Sequence, residues 1–110
     1  MLAAAASMSC AWAAEPTGET FAHTCAACHG TNGALAAEAF PPLAGMEKST
    51  MTRVMQEFRD LKRPSSIMSH IAQGYNDAEI ERIAEYFASL PASGNDSIAY
   101  DKLGNFREGK

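Results

Sequence analysis

The sequence is short of several things, and each shortage excludes something. It has three cysteines in 110 residues, and Cys10 lies in an uncharged opening stretch. The other two, Cys25 and Cys28, are separated by only two residues. A disulfide between them would close a tiny loop and remove little chain entropy, so no disulfide framework supports this protein. Basic residues are scarce as well: nine Lys and Arg stand against thirteen Asp and Glu, for a net charge of −4. That balance offers no cationic footprint for nucleic acid. Internal repeats and convincing strand patterns are absent. Long apolar runs are missing too. The opening MLAAAASMSCAWAA is small and apolar but too short to span a membrane as a helix, and no later segment is apolar enough.

What is present begins with that opening. Ala11-Trp12-Ala13 supplies an A-x-A cleavage pattern, and polar sequence starts at Glu15. We read residues 1–14 as the remnant of a secretory signal peptide without its basic start. Cys10 would leave with it, since Ser7-Met8-Ser9 fits a lipidation site poorly. The mature chain is then exported, a periplasmic expectation, and holds only Cys25 and Cys28. Its length suits one domain, expected over residues 15–91, followed by a tail over 92–110.

Four helical segments are expected. "TGETFAHTCAA" starts at Thr17 as N-cap, and Gly18 in its first turn suggests close packing. Residues 30–45 read as loop, with a turn at Asn32-Gly33 and a break at Pro41-Pro42. "STMTRVMQEFRDLK" follows, capped by Ser49, with Met51, Val54, Met55, Phe58 and Leu61 as one apolar stripe. A short helix over "SSIMSHIAQG" closes on Gly74 as a C-terminal glycine. "NDAEIERIAEYFASLP" is the clearest helix. Asn76 and Glu79 form its capping box, Ile80, Ile83, Ala84 and Phe87 its buried stripe, and Glu81, Arg82 and Glu85 its wet face. The tail is polar and Gly-rich and reads as a flexible end. Such an all-α chain has a thin core for a stable domain. A large apolar prosthetic group in the middle would resolve this.

One stretch carries the chemistry. Cys25-Ala26-Ala27-Cys28-His29 is C-x-x-C-H, the attachment signature of c-type haem. Cysteines at i and i+3 project from one side of a helical turn, so two sulfurs can each reach one vinyl group of a flat porphyrin. The histidine after the second cysteine can then ligate the iron. A thioredoxin-type C-x-x-C would need a βαβ context, and a structural zinc site four ligands in paired spacing; neither pattern is here. A second axial ligand must come from elsewhere, and methionine is the natural one for electron transfer. Met51 and Met55 lie on a packing stripe, which leaves Met46 and Met68. His23 and His70 read as surface residues.

With these features in place, the mature chain resembles a class I cytochrome c over nearly its whole length. The resemblance implies about four helices around one covalently bound haem c. It pairs a G-x-x-aromatic element, here Gly18 and Phe21, with aromatics near the end of the last helix, here Tyr86 and Phe87. It makes Pro41 of "PPLAG" the carbonyl acceptor for the ligating histidine. It places the axial methionine at Met68, between the second and last major helices. Cofactor-binding residues are thus Cys25, Cys28, His29, Met68 and Pro41, with His29 and Met68 on the metal. Iron saturated in this way suits an electron carrier better than a catalyst or gas sensor.

Residues 63–90, "RPSSIMSHIAQGYNDAEIERIAEYFASL", are more specific. They closely resemble the cytochrome subunit of flavocytochrome c sulfide dehydrogenases, where R-P-S precedes the axial methionine and G-Y-x-D-x-E-I leads into I-A-E-Y-F. That likeness covers about a quarter of the chain. It implies a heterodimer with an FAD-containing flavoprotein subunit. Sulfide would be oxidised at that flavin, and electrons would pass singly to this haem and on to a downstream acceptor. No catalytic residue of this chain's own is implied. One C-x-x-C-H fits the single-haem form. The tail could lie on the partner, with Tyr100, Leu103 and Phe106 as anchors. A free, diffusible monohaem carrier is the competing reading.

Overall fold

The computed structural model describes residues 12–35, 40–64, 67–92, 98–100 and 106–108. The proposed signal remnant through residue 11, Cys10 included, and Leu103 lie outside the described residues. Helix α1 spans Gly18–His29, α2 Lys48–Arg59, α3 Ile67–Ala72 and α4 Asp77–Ser89. A single 3-10 turn at Thr31–Gly33 follows α1.

Helix α4 organises the rest. Its capping box is complete: Asn76 Oδ1 accepts from the Glu79 N–H at 2.9 Å, and Glu79 Oε2 accepts from the Asn76 N–H at 2.8 Å. The four expected stripe residues, Ile80, Ile83, Ala84 and Phe87, are all buried. Both α1 and α2 pack against this face. The core is Ala22, Met46, Met51, Met55 and Ala72 together with that stripe. Phe87, Ile80 and Ile83 are its largest fully buried side chains. The core is thin, as the composition suggests.

At the α1–α4 crossing, Gly18 lies against the backbone of Arg82. A Cβ at Gly18 would fall on the Arg82 carbonyl oxygen and come within 3.0 Å of the Tyr86 Cβ. Only glycine allows so close an approach. Phe21 packs edge-on against Tyr75, with ring centroids 5.5 Å apart. Arg82 does not simply face water: it is half-buried, stacks 5.9 Å from the Phe21 ring and pairs with Glu15 at 2.7 Å.

Other expectations need correcting. Thr17 caps α1, accepting from the Thr20 N–H, but the helix runs on through Cys28 and His29. Ser49 does not cap α2. Glu47 holds the N-cap position, and Ser49 Oγ donates to the Glu47 carboxylate at 2.6 Å. The α2 stripe fails at Leu61, which is 71% exposed, because the helix stops at Arg59. Leu61 turns left-handed at φ 57°, and the Lys62 N–H returns to the Glu57 carbonyl at 2.8 Å. That is a Schellman closure with leucine in the glycine position. Gly74 does not take the left-handed C-terminal role; its N–H bonds the Ile71 carbonyl at 3.1 Å. The tail is not all irregular. Strand β1 (Ile98–Tyr100) pairs antiparallel with β2 (Phe106–Glu108), Tyr100 opposite Phe106.

Candidate functional site

The site grows from the last turn of α1. Cys25 is half-buried and Cys28 exposed, one helical turn apart, and both are free thiols. His29 is the final helical residue and is 8% exposed. Gly30 then swings the chain away, its N–H closing on the Ala26 carbonyl at 3.0 Å.

The loop after α1 folds back on His29 in a defined way. The Leu35 N–H donates to the His29 carbonyl at 2.9 Å. The Gly33 carbonyl accepts from the Leu43 and Ala44 N–H groups at 2.7 and 3.1 Å, drawing the two ends of the loop together. Gly33 has φ +67° and leaves no room for a side chain: a Cβ would stand 2.7 Å from both the Leu43 Cβ and the Phe87 ring. The Gly45 N–H, in turn, donates to the Phe87 carbonyl at 2.9 Å. This stitching brings the Pro41 carbonyl to His29 Nδ1 at 2.7 Å. Phe40 stands edge-on to the imidazole, with ring centroids 6.2 Å apart.

The electrostatics follow from burial. Desolvation pushes the His29 pKa down, against the opposing pull of the Pro41 hydrogen bond. The imidazole is therefore neutral near pH 7, with its proton on Nδ1 and donated to Pro41. With Nδ1 donating to Pro41, Nε2 is the ring nitrogen left with a lone pair that can act as a donor to a metal. Burial pushes the Cys25 thiol up, while a Thr24 hydrogen bond pulls the other way.

Met68 lies on α3, half-buried and packed against the edge of the core. Met46, by contrast, is buried within the core beside Met51 and Met55. His23 and His70 are exposed. Ile67 and Ile71, one turn apart on α3, are left 58% and 38% exposed, as is Phe40 at 38%. Apolar side chains this open, on the helix that carries Met68 and in the loop beside His29, suit a flat apolar group laid against them. Among the described residues, no three His, Cys, Asp or Glu side chains converge, so nothing extends the two cysteines and His29 into a four-ligand metal set. Phe40 is a residue the sequence did not single out, and Gly33 stands out there only as part of a turn. The only available signal was their place just before the proline pair and in the turn after the histidine.

A helix that ends in two thiols and a neutral, anchored imidazole defines a protein built to carry a covalent porphyrin. Residues 15–91 match the cytochrome c family model, and the chain belongs to that family. It carries haem c attached covalently through Cys25 and Cys28 and functions in electron transfer. It is 38% identical over 69 residues to a thiosulfate dehydrogenase electron acceptor of Stutzerimonas stutzeri, covering 60% of this chain and 32% of that one. It is 36% identical over 76 residues to the cytochrome subunit of sulfide dehydrogenase of Chlorobaculum tepidum, covering 69% of this chain and 68% of that one. It is also 36% identical over 75 residues to cytochrome c-554(548) of Halomonas halodenitrificans, covering 66% of this chain and 90% of that one. The chain thus spans about a third of the first of these relatives and about two thirds of the second. No helix among the described residues is long and apolar enough to cross a membrane.

Proposed function

We propose that this chain is an exported, periplasmic cytochrome subunit that accepts electrons from an FAD-containing sulfide dehydrogenase subunit and passes them to a downstream acceptor. His29 and Met68 are the side chains that would hold its haem iron. The observation that carries the reading is the "RPSSIM…GYNDAEI…IAEYF" stretch over residues 63–90. The 36% identity to a relative named as the cytochrome subunit of sulfide dehydrogenase supports it.

The chain's own residues have limited but definite tasks. Bound haem c supplies one-electron exchange between its two iron oxidation states. Cys25 and Cys28 hold the group at the end of α1. The Pro41 carbonyl keeps the proton on Nδ1, which fixes the ring and leaves Nε2 as the donor atom. Met68 presents a soft thioether from α3, a ligand type that raises the reduction potential of a haem. Sulfide chemistry itself belongs to the flavin subunit.

Two measurements test this. The oxidised protein should show a far-red sulfur–iron charge-transfer band that disappears in Met68→Ala; a wild type without the band overturns the axial assignment. Isolated from its source without added salt, the haem protein should carry flavin absorbance in stoichiometric amount. Haem free of flavin would favour the second reading, a diffusible monohaem carrier, which the 90% coverage of cytochrome c-554(548) supports.

A further inference from the structure

A side-chain hydrogen bond between residues far apart in sequence joins the helix bearing the cysteines to the connector that follows the Met68-bearing segment. The Thr24 hydroxyl donates to the Phe21 carbonyl at 2.6 Å. Its one proton is thereby used, so toward Tyr75 it can only accept, and the Tyr75 hydroxyl lies 3.0 Å away. Thr24 immediately precedes Cys25. Tyr75 lies three residues past the end of α3, its N–H returning to the Ala72 carbonyl at 3.2 Å. The Tyr75 ring also meets Phe21 edge-on at 5.5 Å, and the other neighbour of that phenyl is the Arg82 guanidinium at 5.9 Å. Phe21 is therefore flanked by the α3–α4 connector and by α4, with the hydroxyl pair closing the gap on the Thr24 side.

We infer that Tyr75, through Thr24, is a positioning residue that holds the Met68-bearing arm against the cysteine-bearing helix and so resists departure of the methionine. Helix α3 has only six residues, Ile67–Ala72; Ser69 and Ala72 are buried, but both of its isoleucines are exposed, so one side of it is left open. A short arm of this kind opens locally at low cost unless tethered at its end. The Tyr75–Thr24 bond is such a tether, placed seven residues beyond Met68. This inference rests on Met68 as the axial ligand.

The test uses the oxidised holoprotein with imidazole as the competing ligand. Tyr75→Phe keeps the ring contact with Phe21 and deletes only the hydroxyl. Loss of one hydrogen bond of ordinary net strength should raise apparent imidazole affinity about three- to tenfold. Thr24→Val should do the same, the double variant no more than either single one, and Thr24→Ser should behave as wild type. Thr17→Ala, which removes the N-cap of α1 and weakens the whole fold by a similar amount, should leave imidazole affinity unchanged. Equal affinities in Tyr75→Phe and wild type overturn the tether while leaving the axial ligand standing. So does a Thr17→Ala effect as large as that of Tyr75→Phe, because the hydroxyl would then act only through global stability. A wild type without the sulfur–iron band overturns the ligand and the tether together.

Discussion

The two sides of this molecule are built to different standards. Where α1 crosses α4, the packing is close: Gly18 touches backbone, the Asn76–Glu79 box is complete, and Phe87, Ile80 and Ile83 are wholly buried. Helix α3 closes on one side only, through buried Ser69 and Ala72. The helix is two turns at most, Ile67 and Ile71 are open, Met68 is half-buried, and α2 ends nearby on an exposed, left-handed Leu61. The difference teaches which part of the fold the polypeptide completes by itself. The crossing is a finished scaffold. The α3 side leaves apolar side chains uncovered by the polypeptide, and side-chain bonds such as Thr24–Tyr75 add to what little depth it has.

If that contrast is real, the largest losses come from the closed side. Phe87→Ala empties a fully buried aromatic site and removes the ring against which Gly33 and the His29 loop are folded. It should cost about 3–5 kcal/mol in urea unfolding of the holoprotein. A loss below about 1 kcal/mol would mean that the scaffold is not where stability resides. Gly18→Ala should follow, at about 1–3 kcal/mol, because the new methyl overlaps the Arg82 carbonyl and the helices must part.

The open side should show the opposite sign at Leu61. Its left-handed backbone at φ 57° carries a side chain that is 71% exposed and gains little from burial. Leu61→Gly relieves the strain of a left-handed β-carbon, offset in part by the freer unfolded chain, and should stabilise the protein by about 0.5–1 kcal/mol. A loss in its place would show that the leucine side chain is covered in the holoprotein.

Legibility in the sequence divides along the same line. Helix α4 could be read almost completely, since its cap, its box and its stripe are local signals that tertiary packing does not override. The C-x-x-C-H segment was equally plain, because covalent chemistry dictates its spacing. Leu61 misled because it continues a 3.6-residue period past the point where the helix stops, and periodicity alone does not mark a Schellman turn. Ser49 misled because it sits one position inside the helix and bonds Glu47 rather than backbone. The β1–β2 hairpin was invisible, as strands of three residues are too short to show alternation. Phe40 against His29 is a contact made by loop closure, which leaves no periodic trace.

The smallest effect concerns a tether on the open side and depends on pH. The Glu57 carboxylate accepts from Arg53 Nη1 at 3.0 Å and from Arg63 Nε at 3.1 Å, clasping the chain that leaves α2. The hydrogen bond from Arg53, helped by Arg63, holds the Glu57 carboxyl below the usual carboxylate range. Its folded pKa thus lies below the unfolded value of about 4.3. The clasp therefore contributes fully above that pH and is lost as pH falls through the folded value. Urea midpoints of wild type and Glu57→Gln should differ most near neutral pH and converge on acidification, as wild type loses what the variant never had. Because the carboxylate and Arg53 are both partly exposed, the gap should be small and should shrink further with added salt. A gap that widened toward acid would mean that the carboxylate is strained rather than clasped, and that the α2 end is not tethered through Glu57.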